Sequence, residues 1–421
     1  MEKLKGYYNN INLYKKYKMF SYDLLFYNAI SVLFFTMTKG FSMAEVMYMT
    51  AAFSLFAFIW QIPSNFLIEK LGVRNSAVLG NILVVLEVFA YIIVPQGNIR
   101  MVFIADFFAA LGWALKSTAE GTILYSSLKK VNEKDNFSKV EGKANSKYYF
   151  YDAVASAISG FLFVFDNYLP MIFCLINTVI AAVISYKFVE VEYETDEPKV
   201  TLRDLKSQFI EILYSNRSKA IFMFAFIFAG VVGTTQKLYN SILIDLNLGE
   251  EYITIILSIA TIFTGIGAKY SYSIQNKAKN KTLTVFTILY MIATLFIGLI
   301  GISNHLNVFS LSMYMIFLII MCFIQGSYRV ALKKYILNFT NHNVRTKVTS
   351  LYYLFEYCGK AVLVAICGVL LNYMNNSVAT LVFGIAMCLL CYLCLNFMKD
   401  KVGLKPDEYD SSEIYGYKVK K

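Results

Sequence analysis

Apolar runs of about twenty residues recur along this 421-residue chain with short polar interruptions, and that repetition limits what the chain can fold into. A membrane-spanning helix needs ~20 mostly apolar residues. The sequence places twelve such spans near 19–38, 45–68, 76–95, 101–122, 147–165, 170–189, 219–241, 252–271, 283–302, 309–329, 349–372 and 378–398. Hydrophobic residues make up 57% of the chain and charged residues 16%, against ~45–50% and ~25% in an average soluble domain. That balance excludes a soluble globular enzyme, a disordered chain and a disulfide scaffold. The expected fold class is an all-α membrane protein with twelve transmembrane helices.

Charge sets the orientation. With the N-terminus inside, Lys39 and Arg100 fall in outer loops, and Lys116, Lys237 and Lys360 fall within spans; the other 34 of the 39 Lys and Arg lie on the inner side. The positive-inside rule then puts both termini in the cytoplasm and the chain, multi-pass, in the plasma membrane. The net charge of +11 thus points to orientation and anionic lipid, not to nucleic acid. The basic stretch from Lys3 to Lys18 leads into an apolar run too long for a signal-peptide core and without a small-residue cleavage site. That run is read as span 1.

All seven cysteines fall in spans, and Cys388, Cys391 and Cys394 repeat at three-residue spacing. No histidine or carboxylate accompanies them there, so they are read as small packing residues. Both histidines, His305 and His342, fall in loops. No metal site, no cofactor and no catalytic constellation is therefore expected, and the chain is not read as an enzyme.

The polar stretch from Glu190 to Lys219 divides the spans into two groups of six. Thr201 and Asp204 have capping-box spacing, and Leu202, Leu205, Phe209, Ile212 and Leu213 recur at helical spacing. The expected organisation is an N-terminal half at 1–189, a linker with an amphipathic helix lying on the inner membrane surface at 190–218, a C-terminal half at 219–399 and a cytoplasmic tail at 400–421. The inner segments after spans 4 and 10 are both long and basic. Two pseudo-symmetric six-helix halves around a midplane site is a common plan for secondary transporters. Pro63, inside span 2, is expected to kink that helix or free a carbonyl.

Ionisable groups inside spans are costly and default to functional candidates. Glu87 lies in the middle of span 3, and Asp106 about one and a half turns inside the outer end of span 4. Lys116 and Glu120, four apart, share a helix face and either neutralise each other or act in the mechanism. Glu356 and Lys360 in span 11 repeat that spacing, which suggests a charge pair between helices that locks one conformational state. Asp23 near the start of span 1 is read as a helix-end cap.

The stretch Gln61-Ile-Pro63-Ser-Asn65-Phe-Leu-Ile-Glu69-Lys70-Leu-Gly72-Val73-Arg74 closes span 2 and crosses to span 3. Here the sequence resembles the major facilitator superfamily, whose pattern is Gly-x-x-x-Asp-Arg/Lys-x-Gly-Arg-Arg/Lys. Glu69, Lys70, Gly72 and Arg74 match its acidic, basic, glycine and final basic positions, while Asn65 and Val73 depart from it. A nearer resemblance is to Gram-positive tetracycline and macrolide exporters, which read Glu-x-Pro-x5-Asp-x3-Arg-Lys; Gln61, Pro63, Glu69 and Arg74 stand in that frame. The segment from Gly112 to Leu128 and the run Arg345-Thr-Lys-Val-Thr-Ser350 are similar to the same exporters. Span 5 lacks their antiporter signature and carries Ala153, Ala155, Ser156, Ala157, Ser159 and Gly160, a face suited to close packing.

The resemblance implies a major facilitator fold working by alternating access. It makes Gln61, Pro63, Glu69, Lys70, Gly72 and Arg74 a cytoplasmic gate that faces the start of span 11 near Thr349 and Ser350. It makes Glu87, Asp106 and Glu120 candidates for proton coupling. Because the superfamily lines its cavity with spans 1, 4, 7 and 10, Asn28, Lys116, Gln236, Lys237 and Gln325 become candidates for contacting substrate. The implied function is proton-coupled efflux of small amphipathic compounds; the alternative is a facilitator or symporter importing a small polar solute. The expected partners are a small-molecule substrate, protons and the lipid bilayer. A monomer is expected, since one chain supplies both halves.

Overall fold

The computed structural model describes residues 2–133, 136–191, 216–278, 281–303, 307–338 and 345–402. The expected linker helix around Thr201 and Asp204, both histidines and the tail beyond residue 402 lie outside these residues. The described chain forms α1 (Glu2–Ser21), α2 (Ser31–Leu33), a π-helical turn (Phe34–Thr38), α3 (Met43–Trp60), α4 (Pro63–Leu71), α5 (Val73–Ile93), α6 (Ile99–Lys130), α7 (Phe137–Phe165), α8 (Leu169–Tyr186), α9 (Asn216–Asp245), α10 (Glu250–Ala278), α11 (Thr282–Ser303), α12 (Val308–Asn338), α13 (Arg345–Leu370) and α14 (Asn376–Val402). No strand occurs among the described residues. Lipid offers the backbone no hydrogen-bond partners, so apolar runs close their bonds within helices.

Ten helices among the described residues are long and apolar enough to cross a membrane. They correspond to every predicted span except the first and the fourth. The fourth is α6, whose 32 residues extend about 48 Å. It carries Asp106, Lys116 and Glu120, all buried. With α6 and the interrupted first segment, the described helices account for the twelve spans read from the sequence.

The first span corrects the sequence reading: its apolar run is not one helix. α1 ends at Ser21, and helix resumes only at Ser31. Asp23 accepts a hydrogen bond from the Leu24 amide at 2.8 Å, a local bond that competes with helix. Phe26 sits at φ 67°, in the left-handed region where a bulky residue is rare. Irregular backbone within an apolar stretch survives only where protein covers it or it lines a cavity; here Leu24, Leu25, Ala29 and Ile30 are buried. The second span also divides. α3 stops at Trp60 and Pro63 opens α4, as expected of a ring that cannot donate its backbone bond.

The chain forms two compact units, Met1–Asp196 with Gly249–Ser258, and Glu197–Leu248 with Ile259–Lys421. In the first unit α5 packs along α6 and α8, and α1 packs against α6, α7 and α8. Tyr14, Tyr17, Val73, Ala77, Leu115, Ala119 and Ile123 form its core, with Tyr17 edge-on to Phe188 at 5.2 Å. The opening turns of α10 belong to this unit, where Ser258 donates to the Ala153 carbonyl at 2.7 Å. In the second unit α9 packs on α13 and α14, and α11 on α12 and α14. There α10 and α12 are joined by Ser327 donating to the Gly267 carbonyl at 2.8 Å and Ser271 donating to the Ser327 carbonyl at 2.9 Å.

Candidate functional site

Asp106, Trp113, Lys116 and Glu120 recur along α6 at spacings that put them on one helical face. From Asp106 to Glu120 that face rises about 21 Å. Apolar side chains would be the default for a face turned into protein. Here every polar group on it finds a partner on α1 or α5, so the first unit contains a continuous polar chain.

At one end Glu87 and Tyr91, one turn apart on α5, meet Asp106. The Tyr91 hydroxyl lies 2.5 Å from Asp106 Oδ1 and 3.1 Å from Glu87 Oε1. Trp113 donates its indole N–H to Glu87 Oε2 at 3.0 Å. Glu87 and Asp106 are 4% and 2% exposed, so water does not compensate them. From the unwound segment Tyr27 stacks on Tyr91 at 5.8 Å, and Phe35 meets the same ring edge-on at 5.2 Å.

At the other end the break after Ser21 matters. A helix that stops leaves its last carbonyls without intrahelical donors. Lys116 supplies one, donating to the Ser21 carbonyl, and places its ammonium 3.6 Å from the Trp113 ring centroid. A cation at a helix C-terminus is also favoured by the helix dipole. Lys18, in the last turn of α1, pairs with Glu120, and Ser21 donates to the other Glu120 oxygen at 3.3 Å. Trp113 links the two ends, since its N–H serves Glu87 and its ring serves Lys116.

Several sequence candidates meet here in unexpected pairings. Lys116 and Glu120 share a face, yet each makes its direct bond to α1 rather than to the other. Glu356 and Lys360 are not partners across helices either. Both sit on α13, Glu356 accepts from Tyr328 at 2.9 Å and from Tyr352, and the Lys360 stem packs beside Gly233. Fourfold spacing fixes a shared face, but tertiary donors decide the partner.

The cavity candidates separate. Asn28 is exposed on the unwound segment, Gln236 is exposed and Lys237 half-buried on α9. Gln325 is buried and donates to the Tyr290 hydroxyl at 3.2 Å, which also meets Thr235 at 2.5 Å. The gate candidates lie together at one end of the first unit. Gln61 follows α3, Pro63 opens α4, and Glu69 and Lys70 are exposed on α4. Gly72, at φ 83°, makes the turn that a side chain would resist. The Glu190 carboxylate accepts from the amides of Val73 (2.8 Å) and Arg74 (3.2 Å), capping α5, while Arg74 donates to the Tyr186 carbonyl at 2.7 Å, capping α8.

Sequence reasoning missed Tyr91, Trp113, Lys18, Ser21 and Asp152. Tyr91 and Trp113 were within reach of it, one turn from Glu87 and from Lys116. Asp152 was an ionisable residue in span 5, hidden in a stretch read as small-residue packing. Lys18 gave no local sign, since its partner lies 102 residues away.

No curated protein sequence matches the chain. Among solved structures, that of a point mutant of the nucleoside transporter NupG is similar with a TM-score of 0.78 at 9% identity, covering 92% of this chain and 99% of that one. A bacterial homologue of the human lysosomal transporter Spinster, inward-facing and unoccupied, gives 0.69 at 12% identity over 93% and 96%. The D-xylose-proton symporter gives 0.67 at 11% over 91% and 96%. At such identities the likeness is one of fold. The profile of the Major Facilitator Superfamily matches residues 19–362, most of the chain and nearly all of its spans. This protein therefore belongs to the major facilitator superfamily and is a multi-pass membrane transporter of small molecules.

Proposed function

We propose that the transporter couples proton movement to the export of small amphipathic compounds, with Glu87 and Asp106 as the coupling carboxyls. One observation carries this reading. The Tyr91 hydroxyl has a single hydrogen, yet it lies within hydrogen-bond distance of an oxygen of each buried carboxyl. If both were ionised, one would face the phenol oxygen with no hydrogen between them. A proton on either carboxyl completes the set, so the group is a natural store for one proton. Beside it, a groove of about 450 Å³ lined by Leu83, Leu86, Ala90, Ile104 and Phe108 reaches Glu87. Its apolar walls suit an amphipathic compound. The residue frame shared with tetracycline and macrolide exporters supports the direction of transport. The charge asymmetry supports a plasma-membrane protein with cytoplasmic termini, and Glu69 serves as the gate carboxylate.

In proteoliposomes with an imposed pH step, wild-type protein is expected to move protons when tetracycline, a macrolide or a lipophilic cationic dye is added. Glu87→Gln is expected to reduce gradient-driven transport about tenfold or more while leaving substrate exchange without a gradient intact. Undiminished concentrative transport by that variant would remove Glu87 from the mechanism. Glu69→Ala is expected to slow both modes, because a gate acts on the conformational step.

A second reading is uptake of a polar solute. The buried Thr235–Tyr290–Gln325 group offers uncharged donors and acceptors, and the structurally similar proteins include a nucleoside transporter and a xylose-proton symporter. Protons entering together with a nucleoside or sugar in the same assay would establish it.

A further inference from the structure

A second acidic group lies on the other side of the break in the first span. Asp152, on α7, is 6% exposed, and its Oδ1 is buried without a hydrogen-bond partner. Tyr148 lies one turn before it on α7, and the charge of Asp23 acts on it. Three tyrosine rings pack beside this pair: Tyr22 to Tyr148 at 4.5 Å, Tyr22 to Tyr149 at 5.6 Å, and Tyr148 to Tyr149 at 5.5 Å. A buried carboxylate oxygen without a partner is costly, and neither nearby lysine relieves it. Lys18 is held by Glu120 and Lys116 by the Ser21 carbonyl. Lys18 still shows what the rings accept, its ammonium lying 5.0 Å over Tyr22. Asp23 and Tyr22 are half-buried and Tyr149 is exposed, so the group is open at one side.

We propose that Asp152, Asp23 and the Tyr22–Tyr148–Tyr149 rings form a binding site for a monovalent organic cation. Two carboxylates supply charge, and the ring faces supply an apolar, quadrupolar wall that attracts a diffuse cation. A small inorganic cation needs a shell of oxygens instead, and rings occupy that place here. The cation would thus sit against the unwound segment, whose neighbouring carbonyl at Ser21 is already taken by Lys116. The site would name the substrate class of the transporter, and to that extent it rests on the transport reading.

The test is equilibrium binding of radiolabelled tetraphenylphosphonium to the purified full-length protein, with tetraphenylborate as the isostere of opposite charge. Asp152→Asn is expected to weaken binding about tenfold or more, Asp152→Glu to keep it within about threefold, and tetraphenylborate not to compete. Equal affinity in wild type and Asp152→Asn overturns the proposal. Should Asp152→Asn fail to fold, the unaltered protein serves: carbodiimide labelling of Asp152, read by peptide mass spectrometry, is expected to slow with tetraphenylphosphonium. Unslowed labelling, or slowing by sodium alone, overturns the site as an organic-cation site. Cation binding through Asp152 without proton-coupled transport would reject the coupling and keep the site. Coupled transport without such binding would do the reverse.

Discussion

Gly80→Leu is expected to yield no stably folded protein. Gly80 on α5 and Gly112 on α6 face each other where the two helices cross. A Cβ on Gly80 would lie 2.7 Å from the Gly112 carbonyl oxygen and 2.8 Å from the Lys116 amide nitrogen. A Cβ on Gly112 would lie 2.7 Å from Leu83 Cβ and 2.9 Å from the Gly80 carbonyl oxygen. These obstacles are mainly backbone, so no rotamer change relieves them, and the helices must part. In lipid, helices associate through such close backbone approach, because apolar burial gives them little preference for each other over the acyl chains. Alanine at Gly80 gains about 1 kcal/mol of helix propensity but meets an overpacking cost of about 1–3 kcal/mol, so it should destabilise modestly. Leucine adds further volume to the same clash. The control is Gly121 on α6, around which no atom lies within 4 Å of the added Cβ; Gly121→Ala should be neutral or stabilising by up to about 1 kcal/mol. Thermal unfolding in detergent followed by size-exclusion chromatography reads all three. A wild-type melting point for Gly80→Leu would mean that α5 and α6 do not cross here.

Lys18→Met should cost nearly as much, and its sign depends on what remains. The side chains of Lys18 and Glu120 are 9% and 5% exposed. Removing one partner of a buried pair typically costs about 3–5 kcal/mol, because the other is left as an uncompensated charge. Lys116 lies close enough for its charge to interact with that of Glu120, which puts the expected loss near the lower figure. Glu120→Met should destabilise likewise, leaving two lysines without a carboxylate. The double variant Lys18→Met/Glu120→Met is expected to recover most of the loss, since removing both charges removes the desolvation cost. A double-mutant cycle on melting temperature measures this. Additive losses would show that the two side chains are not coupled and that Glu120 is held by Ser21 or Lys116 instead.

These two cases also show which parts of the molecule were legible in sequence. Apolar periodicity specified ten spans almost directly, because lipid leaves a twenty-residue apolar run few alternatives to helix. It missed the interruption at Tyr22–Ile30, since hydropathy does not record whether a run is wound. Only Asp23 and Asn28 hinted at it. Glu87, Asp106, Lys116 and Glu120 stood out because charge in a span is costly, and they do lie in one polar chain. Their partners did not stand out: the pairing of Glu120 with Lys18 depends on where α1 ends, and that of Glu356 with Tyr328 on how α12 lies along α13. Pro63 was read correctly because its constraint is local. Asp152 obeyed the same rule as Glu87 and was overlooked among its alanines and serines.

Trp113 has a consequence of another kind. The chain has two tryptophans. Trp60 gives its N–H to the Phe107 carbonyl at 3.0 Å, a neutral acceptor that no titration alters. Trp113 lies between a carboxyl at its N–H and an ammonium at its ring face. Indole emission shifts with the electric field along the ring, and opposite charges at these two positions set that field. With Trp60 replaced by phenylalanine, the emission of Trp113 becomes an optical record of the charge on Glu87 and the position of Lys116. The unlabelled transporter would report its own ionisation state in real time as it works.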